Sequence, residues 1–365
     1  MRFNGFDDEW IEEKLGNLVQ IKSGECTKNL ITGIDNSIPY FKVEQLNNSL
    51  KYQIKTPYFI NDKSKIVNKG SIIFPKRGAA ILLNKIRILN QDSFMDTNLM
   101  TLTPNNKLYN EFLYYFIYKE NLSKIADTTS IPQLNNKHIK PYPIKLPSFE
   151  EQLKISKFIS SVDKKVALLS QNLEIFNDFK KGLLQQIFTQ KLRFNFSDEW
   201  DYLNFSNIFK SVSTKKYQIK SAEIMDNGDF EVIDQGQDEI AGFFNDKNKL
   251  CYELPIIIYG DHTTFVKFRD KPFIVGADGV KLLLPKINAN LKYLFYALEY
   301  FNIKPEGYKR HFSIIKKINL PLPSLEEQNE ISKAFSSVDK KLECIQIQLQ
   351  ETKKFKKSLL QQMFV

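Results

Sequence analysis

The sequence predicts a mixed α/β protein. Two α/β blocks are joined by two long helices that form an intramolecular antiparallel coiled coil, in a pseudo-two-fold arrangement. Three observations predict this. A 42-residue stretch occurs twice, 176 residues apart, with 23 identities and no gap (147–188 against 323–364). Within each copy, apolar residues recur at alternating spacings of four and three, the 3.5-residue period of a coiled-coil seam. Before each copy lie short β-branched and aromatic runs punctuated by glycine, which read as strands.

Taken in order, residues 1–146 form the first block. Ile38–Val43, Ser71–Phe74 and Ala80–Leu83 read as strands, with Gly70 and Gly78 as turns, and Leu108–Lys119 reads as a helix rich in Tyr and Phe. Residues 147–190 form the central long helix. It opens at Leu146-Pro147, with Ser148 as N-cap and Glu151 three residues on, the pattern of a capping box. Its seam is Ile155, Ile159, Val162, Val166, Leu169, Leu173, Phe176, Leu183 and Ile187.

Residues 191–322 form the second block. Strands are expected at Phe230–Ile233, Leu254–Tyr259, Lys281–Leu284 and Phe312–Ile315, and a helix at Leu291–Phe301. Asp198-Glu199-Trp200 echoes Asp8-Glu9-Trp10, here 190 residues apart. Residues 323–365 form the C-terminal long helix, with a second capping box at Ser324 and Glu327. Its seam is Ile331, Phe335, Val338, Leu342, Ile345, Leu349, Leu359 and Met363. Lys180, Lys356 and Thr352 occupy seam positions, where a polar residue fixes register or marks a fraying end. Each helix of about 40 residues is roughly 60 Å long at 1.5 Å per residue. The constant segments are far more alike than the blocks they follow, so a duplicated scaffold carries two divergent modules.

Composition narrows the function classes. Fifty-two Lys and Arg against 42 Asp and Glu give a formal charge of +10, which favours an anionic partner. Cys26, Cys251 and Cys344 lie far apart with no CxxC pair, excluding a zinc ribbon and a disulfide scaffold and fitting a reducing cytoplasm. The polar N-terminus lacks a signal core, and no apolar run is long enough to span a membrane.

No catalytic constellation is visible. Phosphate-binding G-x-x-x-x-G-K-[ST] and G-x-G-x-x-G loops are absent, as is the aromatic-ended tetrad of amino-methyltransferases. Asp261-His262 lacks nearby partners for a metal, so no metal site is expected. Gly276–Gly279 reads as a tight turn between strands.

Polar loops carry the remaining signal. In the first block they hold Lys76, Arg77, Lys85 and Arg87, then Thr129, Ser130, Gln133, Asn135, Asn136, Lys137 and His138. The second block has Asp261, His262, Thr263, Thr264, Lys267 and Arg269, then Lys309, Arg310 and His311, with Tyr308 beside them. Lys and Arg neutralise phosphates; Gln, Asn and Arg make paired hydrogen bonds to base edges. Two polar loops at matching places in two copies are the candidate DNA-binding residues.

These residues resemble the DNA-specificity subunit of bacterial type I restriction–modification systems. The first block carries Ile38-Pro-Tyr-Phe41, Lys69–Phe74 with Arg77-Gly78, Thr129–Leu134 and Ile144–Gln152. The second has Ile256–His262, Pro272–Gly279 and Leu320–Gln328. The twice-used Leu-Pro-x-x-Glu-Glu-Gln entry into a long helix is the most specific element. The second block departs from the usual Gly-x-Ile-Pro opening, with Asp229–Gln235 in its place.

The resemblance implies that the blocks are two target-recognition domains, each reading one half of a split site in double-stranded DNA, with the helices setting the spacing. It implies a non-catalytic subunit. Two methyltransferase subunits would methylate adenine N6 with S-adenosylmethionine, and two restriction–translocase subunits would use ATP and Mg2+; no cofactor is expected on this chain. Two other readings compete. One is a structural adaptor with two protein-binding modules on a coiled-coil rod, and the other a stand-alone methyltransferase or nuclease.

Overall fold

The computed structural model describes residues 1–364 other than 28–29, 32–36, 63–65, 128–130 and 308. Thr129, Ser130 and Tyr308 therefore lie outside the described residues. The chain divides into two compact units, Met1–Ser170 with Gln348–Val365, and Gln171–Ile347. Among the described residues no helix is long and apolar enough to cross a membrane.

In the first unit a five-stranded sheet runs Val19–Ser23, Leu99–Pro104, Ile72–Pro75, Arg87–Leu89, Tyr52–Gln53. Its neighbours are antiparallel except for the last pair. Side chains alternate across the sheet: Ile72 and Phe74 join the core under the helices, while Ile73 joins Phe41, Leu46 and Leu89 on the other face. Burial on both faces explains the unbroken apolar run Ile72-Ile-Phe-Pro75. Helix Asn110–Glu120 is buried from Phe112 to Ile117, so it is enclosed on nearly every side.

The second unit repeats this plan. Its antiparallel sheet runs Phe209–Val212, Val280–Pro285, Ile256–Gly260, Val266–Arg269, and helix Leu291–Tyr300 buries Tyr293, Leu294 and Tyr296. A further four-stranded sheet contains Phe230–Ile233 and Ile274–Gly276. Gly276–Gly279 is the turn between Ile274–Gly276 and Val280–Pro285.

Two elements differ from expectation. Ala79–Ile81 is a 3-10 turn rather than a strand, and Phe312–Ile315 is a helical turn. Both expected strands are four-residue, mainly apolar runs, too short for periodicity to separate helix from strand. At each turn a backbone N–H bonds a carbonyl two or three residues back, as in Leu82 N–H to Ala79 O (3.1 Å) and Ile314 N–H to His311 O (2.9 Å).

The long helices are Phe149–Phe188 and Leu325–Met363. In the first unit the start of one and the end of the other share a core: Ile155, Ile159 and Val162 with Leu359, Met363 and Phe364. In the second unit the pairing is reversed, with Leu184, Ile187 and Phe188 against Ile331 and Phe335. The helices are therefore antiparallel in both. Every seam position named above is buried or half-buried.

Each helix start is anchored the same way. The Ser148 and Ser324 hydroxyls accept the backbone N–H groups of Glu151 and Glu327, each at 3.3 Å. The return half of the capping box is absent, because both carboxylates are taken elsewhere. Glu151 accepts two hydrogen bonds from Arg2 (3.0 and 2.8 Å) and one from the Trp10 indole (3.2 Å). Glu327 accepts two from Arg193 (2.9 and 2.6 Å) and one from Trp200 (3.0 Å). Three donors on a buried carboxylate meet the demand that burial imposes on a charge. The next residue ties helix to block. Gln152 Oε1 accepts the Tyr109 N–H at 2.8 Å, and Gln328 Oε1 accepts the Asn290 N–H at 2.9 Å. Both amides donate back to the preceding proline carbonyl.

The seam lysines fix register. Lys356 pairs with Asp163 (2.6 Å), whose other oxygen accepts the Tyr115 hydroxyl (2.7 Å). Lys180 pairs with Asp339 (3.0 Å) and Glu299 (3.1 Å), and Asp339 accepts the Tyr296 hydroxyl (2.6 Å). Burial works against the Lys180 ammonium, but the two carboxylates outweigh it and hold its pKa above the usual value.

Candidate nucleic-acid interface

In each unit a hairpin tip and a second loop are bonded into one platform. The first tip follows strand Ile72–Pro75. Lys76 O accepts the Leu134 N–H (2.8 Å), Gly78 N–H donates to Pro132 O (2.9 Å), and Arg77 forms a β-bridge with Gln133. Gly78 adopts φ +83°, a conformation that favours glycine.

The second loop of this unit is locked internally. Asn135 caps the helical turn Asn136–Ile139 and donates its N–H to His138 Nδ1 (3.0 Å). That leaves the ring proton on Nε2, which donates to Asp127 at 3.1 Å. Lys137 lies 3.2 Å from the same carboxylate. Lys137 first, and the His138 contacts after it, hold Asp127 below the ordinary carboxylate value.

Polar and basic residues of the first platform divide into outward and inward groups. Arg77, Asn135, Asn136 and Lys137 are exposed. Lys76 is half-buried, and burial lowers its pKa; Lys85 reaches Asn47 at 2.6 Å. Arg87 faces inward. It donates to the carbonyls of Ile86 and Leu46, both at 2.7 Å, so its guanidinium serves the block's own backbone.

The second platform is built around Asp261 and Gln235. Asp261 is buried. Its side chain accepts the Phe312 N–H (2.8 Å) and lies 3.6 Å from Lys281. His311 is buried with both ring nitrogens engaged: Nδ1 against Asp261 O (3.1 Å) and Nε2 accepting the Glu306 N–H (3.0 Å). Gln235 receives the His262 N–H (3.0 Å) on its side chain and the Thr263 hydroxyl on its carbonyl. Its amide donates to Asp278 O at 3.2 Å. Gly279 lies against this side chain at φ +89°, a backbone conformation that favours glycine. His262 Nδ1 meets Lys309 O at 3.2 Å, and Asn302 donates to Thr264 O at 2.6 Å.

Here too the cations divide. Lys267 is buried, bonds the carbonyls of Asp234 (3.1 Å) and Asp238, and has its pKa lowered by burial. Arg269 donates to Glu239 O (2.8 Å) and pairs with Glu231 (3.3 Å). Lys309 pairs with Glu306. Arg310 is exposed and has no ionic partner among the described residues. As they stand, Asp261, Thr264, Lys267, Arg269 and His311 shape the platform, and none presents its polar group outward. Asn302 carries no sequence signal beyond polarity, while Asp127, which opens the polar loop before Thr129, and Gln235, which ends the Asp229–Gln235 opening, are marked by position but not by their bonding roles.

The arrangement offers exposed Arg, Lys and Asn side chains on rigid loops, the kinds of group that contact phosphates and base edges. Among the described residues, no group of three or more His, Cys, Asp or Glu side chains is placed to hold a metal ion.

Comparison with known proteins agrees along nearly the whole chain. The family described as type I restriction modification DNA specificity domain matches residues 7–175 and 197–353. A putative MjaX type I restriction enzyme specificity subunit of Methanocaldococcus jannaschii is 24% identical over 97% of this chain and 92% of its own. The MjaVIII specificity subunit of the same organism is 23% identical over 97% and 91%. Among solved structures, the type I restriction–modification S subunit from M. genitalium superposes with a TM-score of 0.66 at 18% identity, covering 100% of this chain and 97% of that one. A chain from a study of type I restriction–modification complex assembly gives 0.55 at 15% identity, with 99% of each covered.

Proposed function

The chain belongs to the type I restriction modification DNA specificity family, and from that membership we propose that it reads a two-part DNA target on behalf of partner enzymes. As a specificity subunit it is non-catalytic and recognises DNA sequence. Each unit reads one half-site through its two-loop platform. Methyltransferase subunits, two per chain, modify adenine N6 with S-adenosylmethionine, and two restriction–translocase subunits act with ATP and Mg2+.

The observation that carries this reading is the matched pair of platforms. Each couples a hairpin tip to a second loop by backbone hydrogen bonds and exposes one arginine, Arg77 or Arg310. Rigid presentation suits recognition, because contacts to base edges need fixed donor geometry. The target adenine leaves the stack to reach a methyltransferase pocket. This subunit supplies register and grip; the chemistry belongs to its partners.

The test is a block exchange. Residues 1–146 are replaced by the corresponding block of a relative with a different target, and the methylated sites of the host genome are sequenced. One half-site changes and the other persists. If both halves change, or if the assembled complex binds DNA without sequence preference, the reading fails and a protein adaptor gains.

A further inference from the structure

A cavity of about 620 Å³ lies in the first unit, where the last turns of the second long helix pass the end of helix Asn110–Glu120. Lys119, Lys124, Lys353, Lys356 and Lys357 line it, and no carboxylate does. Two of these lysines are already engaged: Lys356 with Asp163 (2.6 Å), and Lys119 with Glu120 (2.8 Å) and Phe364 O (3.0 Å). Lys124, Lys353 and Lys357 are exposed and have no ionic partner among the described residues. Like charges gathered around one cavity repel, and an anion between them relieves the repulsion.

At the matching positions of the second unit only two of the five lysines recur. The long helices match at an offset of 176, and the short helices at 181, through Tyr115 and Tyr296. At these offsets Asn177 replaces Lys353, Tyr300 replaces Lys119 and Pro305 replaces Lys124. Glu299 replaces Tyr118 and pairs with Lys180 at 3.1 Å. Lys180 and Lys181 match Lys356 and Lys357, so the second unit keeps two of the five lysines, and Glu299 neutralises the first of them.

The surroundings indicate which anion. Asn84 also lines the cavity and donates to Tyr118 O at 3.0 Å. A small cleft lined by Asn84, Lys85 and Leu134 adjoins the cavity and places it beside the first platform. Although exposed, the Tyr118 ring is already engaged. It stacks on Tyr114 at a centroid distance of 6.1 Å, and Lys356 Nζ sits 4.8 Å from its centroid. Lysines act as mobile point charges, suited to phosphate oxygens rather than to paired base contacts.

We propose that this cavity grips phosphate groups of the DNA backbone beyond the bases read by the first unit. The grip is independent of sequence, and the second unit does not supply it. The inference rests on the reading that the chain binds DNA, and it adds an asymmetry to that reading.

The experiment uses the assembled methyltransferase complex and duplexes with and without the methylated motif. Lys124, Lys353 and Lys357 are replaced together by Gln, and affinity is measured against salt. At about 0.9 per phosphate contact, the slope of log K against log salt falls by about 2 to 3. The loss is equal on target and non-target duplexes, and the methylated motif is unchanged. Lys181→Gln in the second unit leaves the slope within error. An unchanged slope in the triple variant overturns the proposal. So does a complex that no longer assembles without DNA although the chain's melting is normal, because an acidic protein partner would then occupy the cavity. Wild-type binding without sequence preference would instead sink the specificity reading, while the slope comparison still decides on the phosphate grip.

Discussion

Lys180 stands 3.0 Å from Asp339, the lysine on the first long helix and the aspartate on the second. In the other unit the helices exchange roles: Lys356 on the second meets Asp163 on the first at 2.6 Å. Both pairs receive a tyrosine hydroxyl from the neighbouring short helix. One contact therefore fixes helix register and block position together. Asp339→Ala removes the carboxylate from the Tyr296 hydroxyl and leaves Lys180 with Glu299 alone. With allowance for partial solvent access, the expected loss is about 2 kcal/mol. Thermal unfolding of Asp339→Ala, Lys180→Met and the double variant measures the coupling. Strict additivity would show that the pair carries no energy.

The glutamine at each helix start has a separate, checkable role. Gln328→Ala leaves the Asn290 N–H and Pro323 carbonyl without their partner. An unmatched buried backbone group costs about 1–3 kcal/mol. Denaturant unfolding followed by fluorescence of Trp200, which lies in this unit, should show the second unit destabilised. An unchanged midpoint would contradict the assigned role.

Arg77→Ala and Arg310→Ala separate the two platforms. Each is expected to weaken target binding by about 1–3 kcal/mol if it meets a base edge, and to relax one half-site only. Sequencing of methylated sites distinguishes the halves. Arg87→Ala, whose guanidinium bonds Ile86 and Leu46, should lower stability instead.

Removing one heptad from each long helix shortens it by about 10 Å, equal to about three base pairs at most. The methylated motif should then carry a shorter spacer between unchanged half-sites. An assembled variant with the wild-type spacer would rule out a ruler role for the helices.

Asp127 gives a pH prediction with a definite sign. Its pKa is lowered, chiefly by Lys137, so its contribution to folding is complete above the ordinary value of 3.8 and fades as pH falls through the lower folded value. Between pH 5 and 8 this loop should not respond to titration of Asp127. Asp127→Asn should speed amide exchange at Gln133 and Leu134 at neutral pH. Equal exchange in variant and wild type would show the clasp to be idle.

The helices and their seam were readable because duplication and a 3.5-residue period are properties of adjacent sequence. Even Lys180 and Lys356 stood out as interruptions, although their partners did not. The role of Glu151 was not readable. It looked like half of a capping box, yet Arg2 lies 149 residues away and Trp10 lies 141 away. The Asp-Glu-Trp echo hinted at a shared structural purpose; Arg2 and Arg193, 191 apart, fell just out of its frame. In the loops, Arg77 and Arg87 are chemically identical. What turns Arg87 inward is the Leu46 carbonyl, 41 residues distant, and the same holds for Lys267 and the carbonyls of Asp234 and Asp238. Polarity marks a candidate, while its orientation depends on partners remote in sequence.

The paired glutamate, glutamine and aspartate anchors have a consequence for how new specificities arise. Both sockets present the same fittings, so a block that brings its own tryptophan and tyrosine can plug into either one. If each unit reads its own half-site, as proposed, a small stock of interchangeable blocks yields a repertoire that grows as the square of its size, with the two helices as the common chassis.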